Sequence, residues 1–200
     1  MADYTTASAV KTYLRIASAG DDALIGSLVT RASAIIDDSC GRWFTALTQT
    51  RKYDAVGNHI TGRLLLLDAD LLTVTSVTNG DGTTIGAGSY LLRPINWPPF
   101  FGIALKQSNG LRWNYLDDVE DAITISGTWG YSATPPEPIV HAAMRLAAWL
   151  YRQRDTGAEL AQPFEATDKS GPRPPARLPR DVADLIGPYV RLRMSVANGN

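Results

Sequence analysis

DDALIGSLVTRASAIIDDSCGRWF, residues 21–44, predicts a long amphipathic helix with a marked start and a marked end. Asp21 can accept backbone N–H hydrogen bonds in the first turn, and both Asp21 and Asp22 favour the positive end of a helix. Apolar residues recur at helical spacing and predict a wide buried stripe. The stripe comprises Leu24, Ile25, Leu28, Val29, Ala32 and Ile35 or Ile36. Gly41 then predicts a left-handed stop.

Helical and extended patterns alternate along the chain. A shorter helical pattern precedes the long one in residues 9–16, with a break at Ser18-Ala19-Gly20. Beyond Gly41, six segments rich in β-branched or aromatic residues are bounded by turn formers, which predicts strands. They are residues 48–53, 63–67, 72–78, 89–92, 102–106 and 122–128. Asn79-Gly80-Asp81-Gly82 is the strongest hairpin signal because these residues tolerate positive φ. We therefore predict a β-rich insert of about eighty residues.

Composition indicates a compact protein with a balanced surface. The chain has 200 residues, of which 44% are hydrophobic and 20% charged, enough for one sizeable core or two small ones. The net charge of −1 argues against a protein that grips nucleic acid by neutralising phosphates. Cys40 is the single cysteine, so no internal disulfide can form. The start of the sequence does not resemble a signal peptide, and its apolar runs are too short for a membrane span.

Helical periodicity returns after Pro135-Pro136 and predicts a second long helix. Glu137 and Pro138 suit its first turn. Its apolar band, which includes Leu146, Trp149 and Leu150, covers more than half of the circumference. Such a helix is either central to a bundle or shared with another subunit.

A proline-rich stretch follows, and its purpose has two readings. Residues 155–178 show little periodicity and contain Gly171-Pro172-Arg173-Pro174-Pro175, which predicts an extended arm. Arg173, Arg177 and Arg180 could pair with carboxylates on a partner, while the prolines would limit the entropy lost on docking. A solvated linker between two helices is an equally good interpretation. In residues 179–194 we predict a helix interrupted at Pro188, whose dipole alone would explain Arg191 and Arg193.

The candidate chemical groups do not form a convincing catalytic or metal site. Cys40 and His141 could be imagined as nucleophile and base, but no spacing requires it, and a buried thiol with a structural histidine is the better interpretation. His59 adds no metal-ligand spacing. The acidic run at residues 117–121 lacks the alternation and glycine of a calcium loop and is typical of a solvated turn. We expect no metal, no cofactor and no enzymatic activity.

The tract Trp97-Pro98-Pro99-Phe100-Phe101, with Trp113 and Tyr115 nearby in sequence, leaves three interpretations open. It could pack on its own sheet or contact another subunit, since aromatic residues dominate both cores and interface anchors. It could also form a carbohydrate platform, which requires Trp97, Phe100 or Trp113 to be exposed and grouped on one concave face.

Order and pattern together resemble the head–tail connector (adaptor) proteins of tailed bacteriophages, in particular the longer members with a β insert. The resemblance is carried by the helix pair that ends in Cys40-Gly41-Arg42-Trp43-Phe44 and the aromatic and threonine residues that follow it. It extends to residues 127–131 (GTWGY) before Pro135-Pro136 and to residues 147–155 (AAWLYRQRD) of the later helix.

The resemblance implies a structural virion protein located in the neck, between capsid portal and tail, and assembled in the host cytoplasm. It implies a homo-oligomeric ring, with twelve copies, that docks on the portal protein and presents a surface to head-closure or tail proteins. DNA would pass through the lumen without specific binding, and no membrane is involved. Two alternatives stay open: another neck role such as head closure or tail terminator, or a β module that binds a glycan or host surface.

The predicted fold class is α+β, with a helical bundle core and an inserted antiparallel β-rich domain. The predicted divisions are N-terminal helices in 1–46, the β insert in 47–131, a long core helix in 132–154, the extended arm in 155–178 and a C-terminal helix and tail in 179–200. For contact with the portal or a neighbouring subunit we single out Arg173, Pro174, Pro175, Arg177, Arg180, Arg191 and Arg193. For subunit or core packing we single out Leu24, Leu28, Ile35, Leu146, Trp149 and Leu150.

Overall fold

A computed structural model describes residues 2–57, 59–153 and 178–191 of the chain. These residues form two compact units, one helical and one built on a β-sheet. The helical unit comprises Met1–Gly41 and Pro135–Val190, and the sheet unit comprises Arg42–Thr134 and Arg191–Asn200. The fold is therefore α+β, with an antiparallel sheet inserted between helices, as the alternation of periodicities predicts.

Four helices make up the described part of the helical unit: α1 (Ala7–Leu14), α2 (Asp22–Cys40), α3 (Glu137–Gln153) and α4 (Arg180–Ile186). The long helix α3 is central, because it packs against each of the other three. Alanines at positions 142, 143, 147 and 148 are buried together with Ile139 and Leu146, and their small side chains allow close approach of the neighbouring helices. None of the described helices combines the length and hydropathy needed to cross a bilayer.

Helix α2 ends as its sequence predicts, but its buried face is rotated slightly from the expected stripe. Gly41 adopts φ 63° at the C-cap and its N–H donates to the Asp37 carbonyl. The fully buried positions are Ile25, Val29, Ala32, Ser33, Ile36 and Cys40. Leu24 is 39% exposed, and Leu28 and Ile35 are half-buried at the edge of that face. Within one chain, therefore, Leu24 is not a core residue.

Asp21 occupies the N-cap of α2 but does not cap it with its side chain, so that prediction was wrong. Its carboxylate instead accepts a hydrogen bond from the Tyr151 hydroxyl of α3. The Asp21 carboxylate thus accepts a hydrogen bond from a side chain of α3 and not from the first backbone N–H groups of α2. A second tyrosine fastens the N-terminal segment to α2, since the Tyr4 N–H donates to Ser33 Oγ at 3.0 Å and the Tyr4 hydroxyl donates to Asp37.

The described residues of the sheet unit form six antiparallel strands: β1 (Leu47–Tyr53), β2 (Ile60–Thr61), β3 (Leu64–Thr78), β4 (Tyr90–Arg93), β5 (Phe100–Leu105) and β6 (Ile123–Trp129). Their order across the sheet is β1-β6-β3-β5-β4, and β2 pairs with β3. Alternate residues of β6, from Ile123 to Trp129, are buried, as a strand with one face on a core requires.

Two predicted strands, residues 63–67 and 72–78, are one continuous strand in the structure. The intervening Asp68-Ala69-Asp70 interrupts the apolar pattern without ending β3. Leu64–Leu66 pair with β5, and the register shifts between Leu66 and Leu71. Leu71 pairs with both β5 and β6, and from Thr73 onward the strand pairs with β6. A bulge of this kind bends a strand without breaking it.

The predicted turn at Asn79–Gly82 forms, although no full strand returns from it. Gly82 has φ 80°, its N–H donates to the Asn79 carbonyl, and a single antiparallel bridge joins Thr78 to Thr84. Gly80 meets a second constraint, since a Cβ there would lie 2.2 Å from the carbonyl oxygen of Asn114. The turn itself therefore packs on the loop before β6.

The C-terminal helix is shorter than predicted. Helix α4 ends at Ile186, and a 3-10 turn from Gly187 to Tyr189 contains Pro188, which interrupts the helix as expected. Val190 is extended. Arg191 follows this turn and is not itself helical.

Candidate functional surfaces

Two of the sequence motifs that carry the resemblance, residues 42–44 and residues 127–131, lie against each other in the sheet unit. The Tyr131 N–H donates to the Trp43 carbonyl at 2.9 Å, and the Phe44 and Tyr131 rings meet edge to face at 5.4 Å. Gly130 has φ 135°, and a Cβ there would lie 2.1 Å from the carbonyl oxygen of Thr45. A glycine is thus required for the two segments to approach this closely.

A buried ion pair anchors the first motif to strand β3. Arg42 Nε lies 3.4 Å from Asp70 Oδ2, and Asp70 is only 6% exposed. Neither of these two atoms makes a hydrogen bond to another of the described residues. Burial raises the pKa of Asp70, whereas the charges of Arg42 and Arg191 act in the opposite direction. The Arg42 guanidinium also lies 5.1 Å from the centre of the Tyr131 ring.

A second arginine links strand β1 to the same bulge. The Arg51 guanidinium lies about 5 Å from the Trp43 and Trp129 rings and donates to Asp68 Oδ2 at 2.6 Å. Tyr53 donates to the other oxygen of Asp68, also at 2.6 Å. Burial alone would raise the pKa of Asp68, but the Tyr53 hydrogen bond and the Arg51 charge hold it below its usual value. Burial, together with Asp68, raises the pKa of Tyr53.

Arg191 completes this arginine cluster from the C-terminal side. Its guanidinium donates to the backbone carbonyl of Leu67 at 2.8 Å and to that of Asp68. Any contact of Arg191 with a partner would have to compete with these hydrogen bonds. The groups hold the β3 bulge by ion pairs, ring contacts and backbone bonds, and nothing in the arrangement points to a reacting atom.

Of the other residues predicted to contact a partner, Arg180 is exposed at the first residue of α4. Arg173, Pro174, Pro175, Arg177 and Arg193 lie outside the described residues. Among the packing residues, Leu146 is fully buried, and Trp149 and Leu150 are half-buried on α3. The helical unit therefore presents partly exposed apolar side chains on both α2 and α3.

An apolar groove of about 510 Å³ lies on the surface of the sheet unit. We call it the proline groove. It is lined chiefly by Ala46, Leu72, Thr73, Pro98, Pro99 and Tyr131. The sequence tract with Pro98 and Pro99 signalled an aromatic–proline surface, but the contributions of Leu72 and Tyr131 depend on strand pairing and were not predicted.

The three aromatic residues proposed as a carbohydrate platform do not share one environment. Trp97 is 69% exposed in the loop between β4 and β5, and Phe100 is half-buried. Trp113 belongs to the core, and its Nε1 donates to the Arg63 carbonyl at 2.9 Å. Trp113 therefore has no exposed ring face to stack on a sugar, which weakens the glycan-binding alternative.

Cys40, His141 and the acidic run at residues 117–121 do not form a catalytic or metal site among the described residues. Cys40 is buried, with its sulfur 4.0 Å from the Ile186 carbonyl oxygen, whereas His141 is exposed. In the acidic run, the Asp121 N–H donates to Asp54 Oδ1 at 3.0 Å, which organises a turn before β6. No group of three or more potential metal ligands occurs among the described residues.

Comparison with known proteins shows that this chain resembles solved structures in its fold. No family model matches the chain, and no curated protein does. Three solved structures contain chains of similar fold. The neck of an empty GTA particle computed with C6 symmetry matches with a TM-score of 0.58 and 20% identity, over 96% of this chain and 91% of that one. The neck of a native GTA particle computed with C12 symmetry matches with a TM-score of 0.51 and 20% identity, over 96% and 93%. The virion of a native gene transfer agent particle gives 0.52 and 19%, over 96% and 91%.

Proposed function

We propose that this chain is a structural protein of the neck of a phage-like particle, a ring-forming head–tail adaptor that docks on the portal and extends the DNA channel. The observation that carries the proposal is the fold, which is shared over nearly the whole length with chains in gene transfer agent neck structures. The order of sequence motifs points to the same class of protein independently. The C12 symmetry used for one neck suits a ring of twelve copies.

The helical unit supplies a plausible interface between copies. Leu24, Leu28 and Ile35 follow one another at helical spacing beside the buried stripe of α2, and each keeps part of its surface in water. Burying them against a neighbour would add apolar contact at roughly 25 cal/mol per Å². Because a ring repeats this contact around its axis, avidity rather than any one contact would hold the assembly on the portal.

Two features of charge and chemistry agree with a conduit. The net charge of −1 gives no strong attraction for DNA that must pass through the lumen. The charged groups at the β3 bulge, the buried Asp70 and the more exposed Asp68, are engaged with Arg42 and Arg51. We therefore propose no catalytic role and no cofactor.

Complementation in vitro tests the proposal. Heads and tails are purified from a particle mutant that lacks this protein, and the purified chain is added to one or the other before mixing. A head–tail adaptor should bind heads first, appear by electron microscopy as a ring at the portal vertex, and restore joined particles. Binding to isolated tails alone would indicate a tail-terminator role, and failure to bind either would refute the neck assignment.

A further inference from the structure

We propose that the proline-rich segment of one copy, residues 171–178, docks in the proline groove of a second copy. This inference rests on the proposed ring and names the contact that would link its subunits. It brings together two features that the helical interface does not use: an apolar groove on the sheet unit and a proline-rich segment that enters helix α4.

The chemistry of the groove suits a proline-rich occupant. Prolines prefer the polyproline II conformation, and protein grooves that bind it are lined by aromatic and apolar rings. Tyr131, Pro98 and Pro99 supply such rings, and Leu72 extends the apolar surface. Because a polyproline II segment has no internal hydrogen bonds, its carbonyl groups need donors, and the Thr73 hydroxyl at the groove can provide one.

Ring geometry favours a second copy over the same copy. Identical subunits in a closed ring meet head to tail, so each must carry two different, complementary surfaces. The segment and the groove are different surfaces on one chain, and a closed ring would use each of them once per subunit. An isologous dimer would not need such a pair.

Chain length limits where the neighbour must lie. Residues 172–175 are four to seven positions before Pro179, which precedes the first residue of α4. At a maximum of about 3.3 Å per residue, seven residues reach no farther than roughly 23 Å, so the groove of the neighbour must lie within that distance of the helix start. So short a tether also gives a high effective concentration once the ring begins to form.

Disulfide trapping in assembled particles tests the inference. The variant carries Thr73→Cys in the groove and Ala176→Cys in the segment, and the matched control carries Thr75→Cys with Ala176→Cys. Thr73 and Thr75 are both exposed on β3, so the two variants should fold alike. They differ in that only Thr73 lines the groove. Cys40 is buried and present in both.

We expect the Thr73→Cys variant, after mild oxidation of restored particles, to give a ladder of covalent dimers and larger species on non-reducing gels, at least five times more abundant than in the control. Cross-linked monomer would mean docking within one copy and would overturn the inference, as would equal ladders in variant and control. If heads do not capture either variant or the unmodified protein, the proposed function fails instead, so the two failures are distinguishable.

A second variant checks the contact without cysteine chemistry. Thr73→Arg should block the groove and repel the arginines of the segment, whereas Thr75→Arg places the same charge on the same strand outside it. We expect Thr73→Arg to lower the yield of joined particles about tenfold or more, with Thr75→Arg near the unmodified level. Equal yields would contradict the inference.

Discussion

Replacing Arg42 by methionine should destabilise the sheet unit in a manner that depends strongly on pH. The change removes the charge that lies 3.4 Å from Asp70 Oδ2 and the guanidinium contact with the Tyr131 ring, while keeping an apolar side chain about as long as the arginine stem up to Nε. Asp70 is 6% exposed and its Oδ2 makes no hydrogen bond to the described part of the chain, so the carboxylate loses its nearest stabilising charge. Removing one partner of a buried pair costs about 3–5 kcal/mol in general.

Protonation of Asp70 sets an upper limit on that cost. Instead of staying charged, the buried carboxyl can take up a proton. From a reference pKa of about 3.9, this costs about 4 kcal/mol at pH 7 and about 1.5 kcal/mol at pH 5, at 1.36 kcal/mol per pH unit. The loss of stability in Arg42→Met should therefore be about 3–4 kcal/mol at pH 7 and should shrink to about 1.5 kcal/mol at pH 5. Because the pKa of Asp70 is already raised in the native protein, the measured losses of stability in Arg42→Met should lie at or below these figures.

Urea unfolding at the two pH values measures this difference. Tryptophan fluorescence is a suitable signal, because four of the five tryptophans lie in the sheet unit: Trp43, Trp97, Trp113 and Trp129. The double variant Arg42→Met with Asp70→Asn has no buried carboxylate and should show little change in its relative stability between pH 5 and pH 7. A loss in Arg42→Met that is the same at both pH values would refute the reasoning.

Three further changes have directions that follow from the structure. Gly130→Ala should lower the free energy of unfolding by about 3 kcal/mol or more, because the new Cβ would lie 2.1 Å from a carbonyl oxygen. Gly57→Ala, also at positive φ but with open space around it, should lower it by only about 1 kcal/mol. Melting temperatures of the two variants measure the difference. Desolvation by burial raises the pKa of Asp37 to about 6. The ionisation of Asp37 therefore lowers the free energy of unfolding of the protein as the pH rises from about 4 through 6. Asp37→Asn should then be about 1 kcal/mol more stable than the native chain at pH 8, after allowance for solvent screening, and equal to it near pH 4; urea midpoints that show no such divergence would contradict this. Tyr53→Phe should cost about 1–2 kcal/mol and raise the pKa of Asp68, which a carboxyl NMR titration would detect as a shift toward higher pH.

Local signals in the sequence were sufficient for much of the architecture. Gly41 was predicted to stop α2 because only a residue that tolerates positive φ fits there, and it does so. The β-branched residues in 122–128 likewise predicted a strand, and β6 forms at Ile123–Trp129. These features depend on neighbours within a few residues, which is the range that sequence patterns report.

Features that depend on distant partners were missed. Asp21 looked like a helix cap, but Tyr151, 130 residues later, uses its carboxylate. Asp68-Ala69-Asp70 looked like a gap between two strands, but Arg42, Arg51 and Tyr53 supply the charges and hydrogen bonds that let two aspartates lie in one continuous strand. Two carboxylates inside an otherwise apolar run were the available signal, because a strand through them must bury at least one, Asp70, and a buried charge requires a partner.

The motifs that carry the family resemblance have a structural purpose that explains both their value and their limit. Gly130 allows the segment before Tyr131 to pass close to Thr45, and Arg42 fixes the neighbouring chain to β3. In this chain the crossing requires a glycine and the buried Asp70 requires a partner, whatever the chain binds. The resemblance therefore follows from the requirements of the fold, and proteins with different roles in one neck could share it. Functional differences between them must lie where the fold imposes no such requirement, on surfaces such as the proline groove and the exposed loop that contains Trp97. The assays that vary those surfaces, rather than the motifs, are the ones that can separate an adaptor from a neighbouring neck protein.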